Sequence, residues 1–297
     1  MSNSPITSPP HSSVRRPLAL FGRSPDGQPK TFWQSSLLQW IVAITVLLVT
    51  WEAISLSGLV SRRVLPPPQA LLTEIGRHPD FFTLAYIPRR GNFFNLPTSI
   101  YLSLQRVVLG LATAFVASLF TGLLITNVPL VRRLLLPIVQ LLSPISPIAW
   151  MPLIAVFLGV GELAIVTVIF LALFFILTLS TIISIENIPR VYVDTARVLG
   201  ARSRWQILWN VTLPAIVPEL FQTLRLNFIA AWLSLLVAEF IGAKTGLGQM
   251  VIAGRGVFNM SLVLLAMVII GVCGMLCEAG LRLIQDRVLW WRKEIEL

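Results

Sequence analysis

The sequence predicts an all-α membrane protein that crosses the lipid bilayer about six times. Of its 297 residues, 56% are hydrophobic and only 12% are charged, and the mean hydropathy is +0.81. A soluble chain of this length needs far more polar surface to cover its core. Several apolar runs exceed the ~18 residues expected of a transmembrane helix, and they are too long and too continuous for the strands of a closed barrel.

Six apolar segments are predicted to be transmembrane helices. They are residues 37–58, 104–126, 134–158, 163–184, 219–242 and 260–281. The segment between the first two is broken by prolines and too polar to span the membrane. We expect one short helix in it, from Gln69 to Arg77.

These segments divide the chain into five parts. The predicted parts are a disordered cytoplasmic tail at 1–35, the first transmembrane helix at 36–60, an extracytoplasmic segment with the short helix at 61–103, a core at 104–284 that includes a polar loop at 185–218, and a second cytoplasmic tail at 285–297. The first tail combines basic residues with many Pro, Ser and Gly residues, which is typical of disorder. It lacks the short apolar core and cleavage site of a signal peptide.

The distribution of lysine and arginine predicts that both termini lie in the cytoplasm. With this orientation, about twice as many basic residues fall in cytoplasmic segments as in external ones, in agreement with the positive-inside rule. We therefore interpret the net charge of +10 as orientation and contact with anionic membrane lipid, and not as nucleic-acid binding.

A polar stretch, DTARVLGARSRWQILWNVTLP, interrupts the apolar pattern between the fourth and fifth segments. Pro189 is well placed to begin a helix, and Gly200 to end it as a left-handed cap. Ser203 and Gln206 form a capping-box signature that opens a second short helix. Pro214 and Pro218 are expected to close this unit before the next span.

The two predicted helices are amphipathic. Arg190, Asp194 and Arg197 fall on one face of the first helix, where they can pair. Apolar side chains line the two helices at Tyr192, Ala196, Leu199, Trp205, Leu208 and Val211. Two interpretations remain open from these residues. The unit either lies on lipid headgroups or presents an apolar surface with a charged rim to another protein.

The stretch resembles the cytoplasmic EAA loop of permease subunits of ATP-binding-cassette (ABC) importers. The pattern of that loop is Glu-Ala-Ala, three residues, Gly, and a hydrophobic-x-Leu-Pro ending. Its positions are taken here by Asp194, Thr195, Ala196, Gly200, Val211, Leu213 and Pro214. Only the second alanine is kept, and ten residues separate Gly200 from Val211 where nine are usual.

Three further segments resemble the nitrate, sulfonate, taurine and bicarbonate type of these permeases. They are LPPPQALLTEI, PISPIAWMPLIAVFLGVGE (144–162) and AEFIGAKTGLGQMVIAG (238–254). One departure is FFI at 174–176, where the family often has a proline after the aromatic residues. The resemblance covers about residues 65–293 and implies the fold of a type I ABC importer permease.

The resemblance also implies a function and a set of partners. The chain would be the permease subunit of an ATP-driven importer in the bacterial inner membrane, and would transport a small anion of the nitrate, bicarbonate or sulfonate class by alternating access. Its partners would be a second permease copy, two ATP-binding subunits that hold ATP and Mg, and an extracytoplasmic solute-binding protein. The implied coupling residues are Asp194, Thr195, Ala196, Leu199, Gly200, Trp205, Leu208, Leu213 and Pro214.

ATP hydrolysis is expected in a separate subunit. The chain contains no G-x-x-x-x-G-K-[ST] loop, which cradles nucleotide phosphates. It also shows no catalytic triad and no set of metal ligands, so we expect neither an enzyme nor a cofactor in this chain.

The third apolar segment carries the first candidates for a translocation pathway. Ser143, Ser146 and Pro147 interrupt it, and irregular backbone is tolerated inside a membrane where it lines a cavity. Trp150 then acts in packing or as a gate. The alternative is a kink that neighbouring helices repair.

Glu239 is the remaining pathway candidate, because an acid deep in a span is costly and usually functional. Alternatively, it makes a structural hydrogen bond or lies near the outer surface. We expect it to pair with Lys244 or Arg225, or to fix the loop at 246–248.

An ion-driven secondary transporter is the main rival, and a permease of the same type for another small organic solute is a second. The first rival should show paired intramembrane charges and helix breaks in two matching places. The sequence offers only one evident break and one deep acid.

Overall fold

The computed structural model describes residues 36–77 and 96–289, and this part of the chain is helical without any strand. Its α-helices are α1 (Ser36–Leu56), α2 (Pro68–Arg77), α3 (Leu96–Asn127), α4 (Pro129–Leu142), α5 (Met151–Leu158), α6 (Glu162–Glu186), α7 (Arg190–Val198), α8 (Arg204–Ile207), α9 (Leu213–Leu226), α10 (Phe228–Gly242), α11 (Leu247–Gly256) and α12 (Met260–Val288). The predicted all-α fold is confirmed. The predicted tail at 1–35 and most of the tail at 285–297 lie outside the described residues.

The number of membrane crossings depends on two bent helix pairs. Within the described residues, α1, α3, α6 and α12 are each long and apolar enough to cross a bilayer. Two further pairs qualify if each is one broken span: α4 with the segment Pro147–Leu158, bent by 101°, and α8–α9 with α10, bent by 46°. The count then reaches the predicted six.

The break between α4 and α5 follows from its prolines. Ser146 precedes Pro147, and the proline ring disfavours the α conformation for the residue before it. Ser146 is accordingly extended, with φ −56° and ψ 135°, and a 3-10 turn at Pro147–Trp150 leads into α5. The predicted interruption of the segment 134–158 is confirmed. The segment forms two helices bent by 101°, and it is one span only as a broken one.

Pro214 and Pro218 do not close the polar unit, and this prediction is wrong. A π-helical turn, Leu208–Thr212, joins α8 to α9, and both prolines lie inside α9. The Leu213 N–H donates to the Leu208 carbonyl, five residues back. This wider turn leaves room for the Pro214 ring, which would clash with a carbonyl in a regular α-helix.

Two other boundaries differ from the predictions. The short helix expected from Gln69 is present as α2, but α3 begins at Leu96, well before the predicted residue 104. Pro97 lies in its first turn, where a proline is tolerated because its missing N–H has no intrahelical partner. The last helix, α12, continues to Val288.

A close pair of helices, α3 and α6, forms the centre of the unit that begins at Ser55. Small buried residues recur at every fourth position of α3, at Gly110, Ala114, Ser118 and Gly122. A Cβ atom added at Gly110 would lie 2.5 Å from Ile169 Cγ2, and one at Gly122 would lie 2.5 Å from Thr181 Cγ2. Small residues thus allow the two backbones to approach closely, as in many membrane helix pairs.

The first helix belongs to a separate compact unit, described here over residues 36–54. Its apolar side chains from Trp40 to Val49 are mostly exposed. An apolar helix with this exposure is suited to contact with lipid.

Candidate functional site

Two groups of functional candidates lie at the two ends of α6. Arg106 contacts Glu162, at the first turn of this helix. The helix ends at Glu186, and α7 begins at Arg190. We call residues 189–212 the α7–α8 segment.

Gly200 ends α7 as the sequence predicts. Its φ is +98°, a left-handed conformation that favours glycine. The Gly200 N–H donates to the Arg197 carbonyl at 3.0 Å, and the Ala201 N–H donates to the Ala196 carbonyl at 2.9 Å. These two bonds form a Schellman motif and fix the direction in which the chain leaves α7.

The predicted capping box at the start of α8 is also confirmed. The Ser203 hydroxyl accepts a bond from the Trp205 N–H at 3.1 Å. The Gln206 side-chain oxygen accepts from the N–H groups of Ser203 and Arg202, at 3.2 and 3.0 Å. Local hydrogen bonds therefore hold both turns of the α7–α8 segment in place.

This well-ordered segment exposes many large apolar side chains. They are Val191, Tyr192, Val198, Leu199, Trp205 and Trp209. Leu199 is 82% exposed, and the rings of Trp205 and Trp209 are in edge contact at 5.9 Å. Several large apolar side chains exposed on one short polar segment are typical of a surface that binds another molecule.

The other predicted coupling residues are distributed around this surface. Ala196, Leu208 and Leu213 are half-buried, whereas Thr195 and Pro214 are exposed. Asp194 accepts a long bond from Arg197, at 3.5 Å. A groove of about 460 Å³ lies between α7 and the end of α6, lined by Ile185, Ile188, Arg190, Val193, Asp194, Arg197 and Thr212.

The structure places four predicted pathway residues together at the break between α4 and α5. Ser143 caps the end of α4, Ser146 is exposed, and Pro147 and Trp150 are half-buried. The Trp150 Nε1 atom is buried and has no hydrogen-bond partner among the described residues. The assignment of these residues to a pathway stays a prediction.

Glu239 lies elsewhere, in a buried ionic cluster. Its carboxylate is fully buried and accepts from Arg106 Nη1 at 2.6 Å, from the Ser103 hydroxyl at 2.6 Å and from the Gly248 N–H at 2.8 Å. Its ionic partner is therefore Arg106, and not Lys244 or Arg225. The second expectation, that Glu239 fixes the loop at 246–248, is confirmed.

Arg106 joins the parts of this cluster. Its Nε and Nη2 atoms donate to both oxygens of Glu162, at 2.6 and 2.5 Å, and its Nη1 also donates to the Thr245 carbonyl at 2.8 Å. Ser103 accepts from the Leu247 N–H at 3.0 Å. We call Ser103, Arg106, Glu162, Glu239 and the loop at 243–248 the Arg106 cluster.

Sequence reasoning missed Arg106 and Glu162. The sequence places Arg106 near the start of the predicted segment 104–126 and Glu162 at the end of the family motif 144–162. A usable signal was present for Arg106, because an arginine inside the predicted segment 104–126 needs a partner, whereas Glu162 falls between two predicted segments and carries no such signal. Outside this cluster, Glu278 and Arg282, four residues apart on α12, form an ion pair at 3.3 Å, as their helical spacing predicts.

Metal binding has no candidate in the described residues. No group of three or more His, Cys, Asp or Glu side chains there is arranged to hold a metal ion. Cys273 and Cys277 are free thiols on α12.

Comparison with known proteins identifies the class of membrane protein. Residues 106–290 match the family model described as binding-protein-dependent transport system inner membrane component. The chain belongs to this family. The permease is 33% identical to the taurine transport system permease protein TauC of Escherichia coli (strain K12), over 86% of this chain and 90% of that one. It is 29% identical to the nitrate import permease protein NrtB of Synechocystis sp., over 84% and 88% of the two chains.

A solved structure supports the fold. The permease is similar to a chain of the inward-facing MetNI methionine ABC transporter, with a TM-score of 0.53 and 20% identity, over 65% of the permease and 94% of that chain. The predicted type I ABC importer permease fold is confirmed. Because the relatives are named as transport permeases, the permease is a membrane component of an ABC transport system and not an enzyme.

The sequence argument against an ion-driven transporter is wrong in its premise. The structure contains a second helix bend, of 46°, and a buried Arg106–Glu239 pair. Family membership, and not the count of breaks and charges, identifies the transport class.

Proposed function

We propose that the permease imports a small solute with an anionic group, of the nitrate, bicarbonate or sulfonate class. Relatives named for taurine and for nitrate support this class, since both solutes carry a compact oxyanion group. The proposed assembly contains a second copy of the permease, two ATP-binding subunits that hold ATP and Mg, and an extracytoplasmic solute-binding protein. Both termini and the α7–α8 segment lie in the cytoplasm.

The observation that carries the proposal is the exposed apolar surface of the α7–α8 segment. An ATP-binding subunit would bury Leu199 and its neighbours, and each large apolar side chain fully buried contributes about 1.5–3 kcal/mol to such contacts. The Schellman motif and the capping box keep the segment ordered before docking, so that little conformational entropy is lost on binding.

The connections of the segment explain how docking would drive transport. Residues 187–189 form a short link from α6 to α7, and the π-turn connects α8 to α9 without interruption. Movement of the docked segment therefore reaches the membrane through two helices. The solute would pass the break at 143–150, where Ser143 and Ser146 offer polar groups.

The variant Leu199→Asp tests the docking role. A buried charge at this contact should abolish co-purification of the ATP-binding subunit and ATP-dependent uptake, while membrane insertion stays normal. The measurement is affinity purification of the tagged full-length permease from its native host, with the captured ATPase identified by its ATP hydrolysis and by mass spectrometry.

Leu199→Met is the matched control, because it keeps the apolar contact at the same position. It should retain the ATPase and transport. Capture of the same amount of ATPase by Leu199→Asp and by wild type would contradict the proposed docking surface.

The solute class needs a separate measurement. Calorimetric titration of the partner solute-binding protein with nitrate, bicarbonate, taurine and short alkanesulfonates should give tight binding for at least one of them. Tight binding of an uncharged solute alone would instead favour a permease of the same type for another organic solute.

A further inference from the structure

The Arg106 cluster links four elements at the end of α6 that is remote from the α7–α8 segment. Ser103 and Arg106 come from α3, Glu162 from α6 and Glu239 from α10, and the loop at 243–248 connects α10 to α11 and includes the first two residues of α11. These residues are far apart in sequence, with 133 positions between Arg106 and Glu239. The cluster therefore determines how the ends of these helices are arranged.

The loop is held through its backbone. The Thr245 carbonyl accepts from Arg106, the Leu247 N–H donates to Ser103, and the Gly248 N–H donates to Glu239. These three bonds seat the side chain of Leu247, which is fully buried. Arg106 is the donor of the first bond and Glu239 the acceptor of the third, and hydrogen bonds with a charged partner are stronger than neutral ones. Ser103, the acceptor of the second bond, itself donates to Glu239.

The two acids of the cluster differ in exposure. Glu239 is fully buried, and Arg106 is 2% exposed, whereas the Glu162 side chain is 65% exposed. Glu162 approaches Arg106 from the exposed side of the cluster and accepts hydrogen bonds from its Nε and Nη2 atoms. These bonds hold the planar guanidinium in an orientation in which Nη1 points at Glu239 and at the Thr245 carbonyl.

We propose that Arg106 is a positioning residue for transport, which keeps the loop at 243–248 seated on α3, and that Glu162 orients it. This inference rests on the proposed function for its role in transport. With the cluster intact, α3, α6, α10 and the loop move as one body when α7–α8 is displaced. Without Arg106, the buried Glu239 carboxylate loses its counter-charge and the loop separates from α3.

The reactivity of a buried thiol measures whether the loop is seated. The background variant is the full-length permease with Cys273→Ala and Cys277→Ala, in lipid nanodiscs that leave both faces accessible. Leu247→Cys then places a probe at the fully buried loop position, and Lys244→Cys places a control thiol at an exposed one. A maleimide labels both.

Arg106→Gln should increase the labelling rate of the Leu247→Cys thiol by about tenfold or more, which corresponds to about 1.4 kcal/mol in the opening equilibrium. Ser103→Ala, a smaller change that keeps the ion pair, should increase this rate by a smaller factor. The labelling rate of Lys244→Cys should not change. Unchanged labelling of Leu247→Cys in both variants overturns the proposal.

Two further variants separate positioning from general stability. Glu162→Ala removes the two oxygens that accept from Nε and Nη2 of Arg106 and should increase labelling, whereas Glu162→Gln keeps one of these acceptors and should give an intermediate rate. Glu278→Gln breaks the partly exposed pairs with Arg282 and Arg225, at 3.3 and 4.0 Å, outside the Arg106 cluster, and is the matched control, with no effect. Equal rates for Glu162→Ala and Glu278→Gln would exclude the orienting role of Glu162.

The ATP-dependent uptake rate of each variant is measured in parallel and divided by the amount of folded permease. Glu162→Ala should lower the maximal uptake rate several-fold and leave the KM unchanged. If labelling changes as expected but the wild-type complex shows no ATP-dependent uptake, the positioning of the loop stands and the proposed function fails. Normal uptake rates for Glu162→Ala and Ser103→Ala, with a loosened loop, would overturn the role of the cluster in transport.

Discussion

Gly246 places its backbone directly against the buried ion pair. A Cβ atom at this position would lie 2.5 Å from Glu239 Oε1 and 2.7 Å from Arg106 Nη1, and the φ of Gly246 is +132°. Neither the space nor the backbone conformation admits a side chain. The glycines of the Gly-Leu-Gly segment are thus explained by the close approach of the loop to Glu239.

We expect Gly246→Ala to destabilise the permease by about 2 kcal/mol or more, since backbone strain and the contact with Glu239 add. The apparent melting temperature of the purified protein in detergent is the measurement. Gly256→Ala is the control, because nothing lies within 4 Å of its added Cβ, and it should leave the melting temperature close to that of wild type. Equal melting temperatures for the two variants would contradict the close approach.

Individual residues were predictable where their signal is local. The Gly200 cap and the Ser203–Gln206 capping box depend on bonds that span only a few residues, so the sequence indicates them directly. The Arg106–Glu239 pair depends on the packing of α3 against α10. No linear pattern specifies which helices pack together, and for this reason Lys244, a close neighbour in sequence, was the expected partner.

At the scale of elements, the π-turn at Leu208–Thr212 accounts for a sequence irregularity. The EAA pattern usually has nine residues where this chain has ten between Gly200 and Val211. A π-turn contains one residue more than an α-turn. It therefore accommodates one inserted residue without changing the positions of the residues in the helices before and after it. The proline misprediction has the same origin, because only the wider turn lets the helix continue through Pro214.

Deletion of Asn210, an exposed residue of the π-turn, should therefore impair transport. The turn would become α-helical, and the Pro214 ring would then clash with the carbonyl four residues before it, so that ATP-dependent uptake should fall by about tenfold or more. Asn210→Ala keeps the number of residues in the turn and is the control, with uptake within about twofold of wild type. Uptake close to wild type in the Asn210 deletion would show that Pro214 does not need the π-turn.

For the whole molecule, composition and apolar segments were enough to predict an all-α fold with up to six spans. The bends of 101° and 46° could not be predicted. The sequence shows where the prolines are, but it does not show the angle between the helices on either side of a break. The transport class could not be obtained from the charges either. A buried Arg–Glu pair is compatible with an ion-coupled transporter and with a purely structural role. Membership of the permease family, and not the pair, identifies the transport class.

Uptake by the complete transporter should depend on ATP and not on an ion gradient. In proteoliposomes loaded with ATP and Mg, and supplied with the solute-binding protein, a protonophore or a sodium ionophore should change the initial uptake rate by less than about twofold. Vesicles without ATP are the control and should show no uptake. Collapse of uptake by an ionophore, with ATP present, would favour the ion-driven rival.

The length of α6 has a mechanical consequence. Its 25 residues form a rod of about 37 Å, with the α7–α8 segment joined to one tip and Glu162 at the other. If such a rod pivots by about 5° around one tip, the other tip shifts by about 3 Å, an arc calculated from that length. A displacement of this size exceeds the tolerance of a hydrogen bond. A small rotation caused by nucleotide on one side of the membrane would therefore carry the whole Arg106 cluster far enough to change the contacts it makes with its surroundings on the other side.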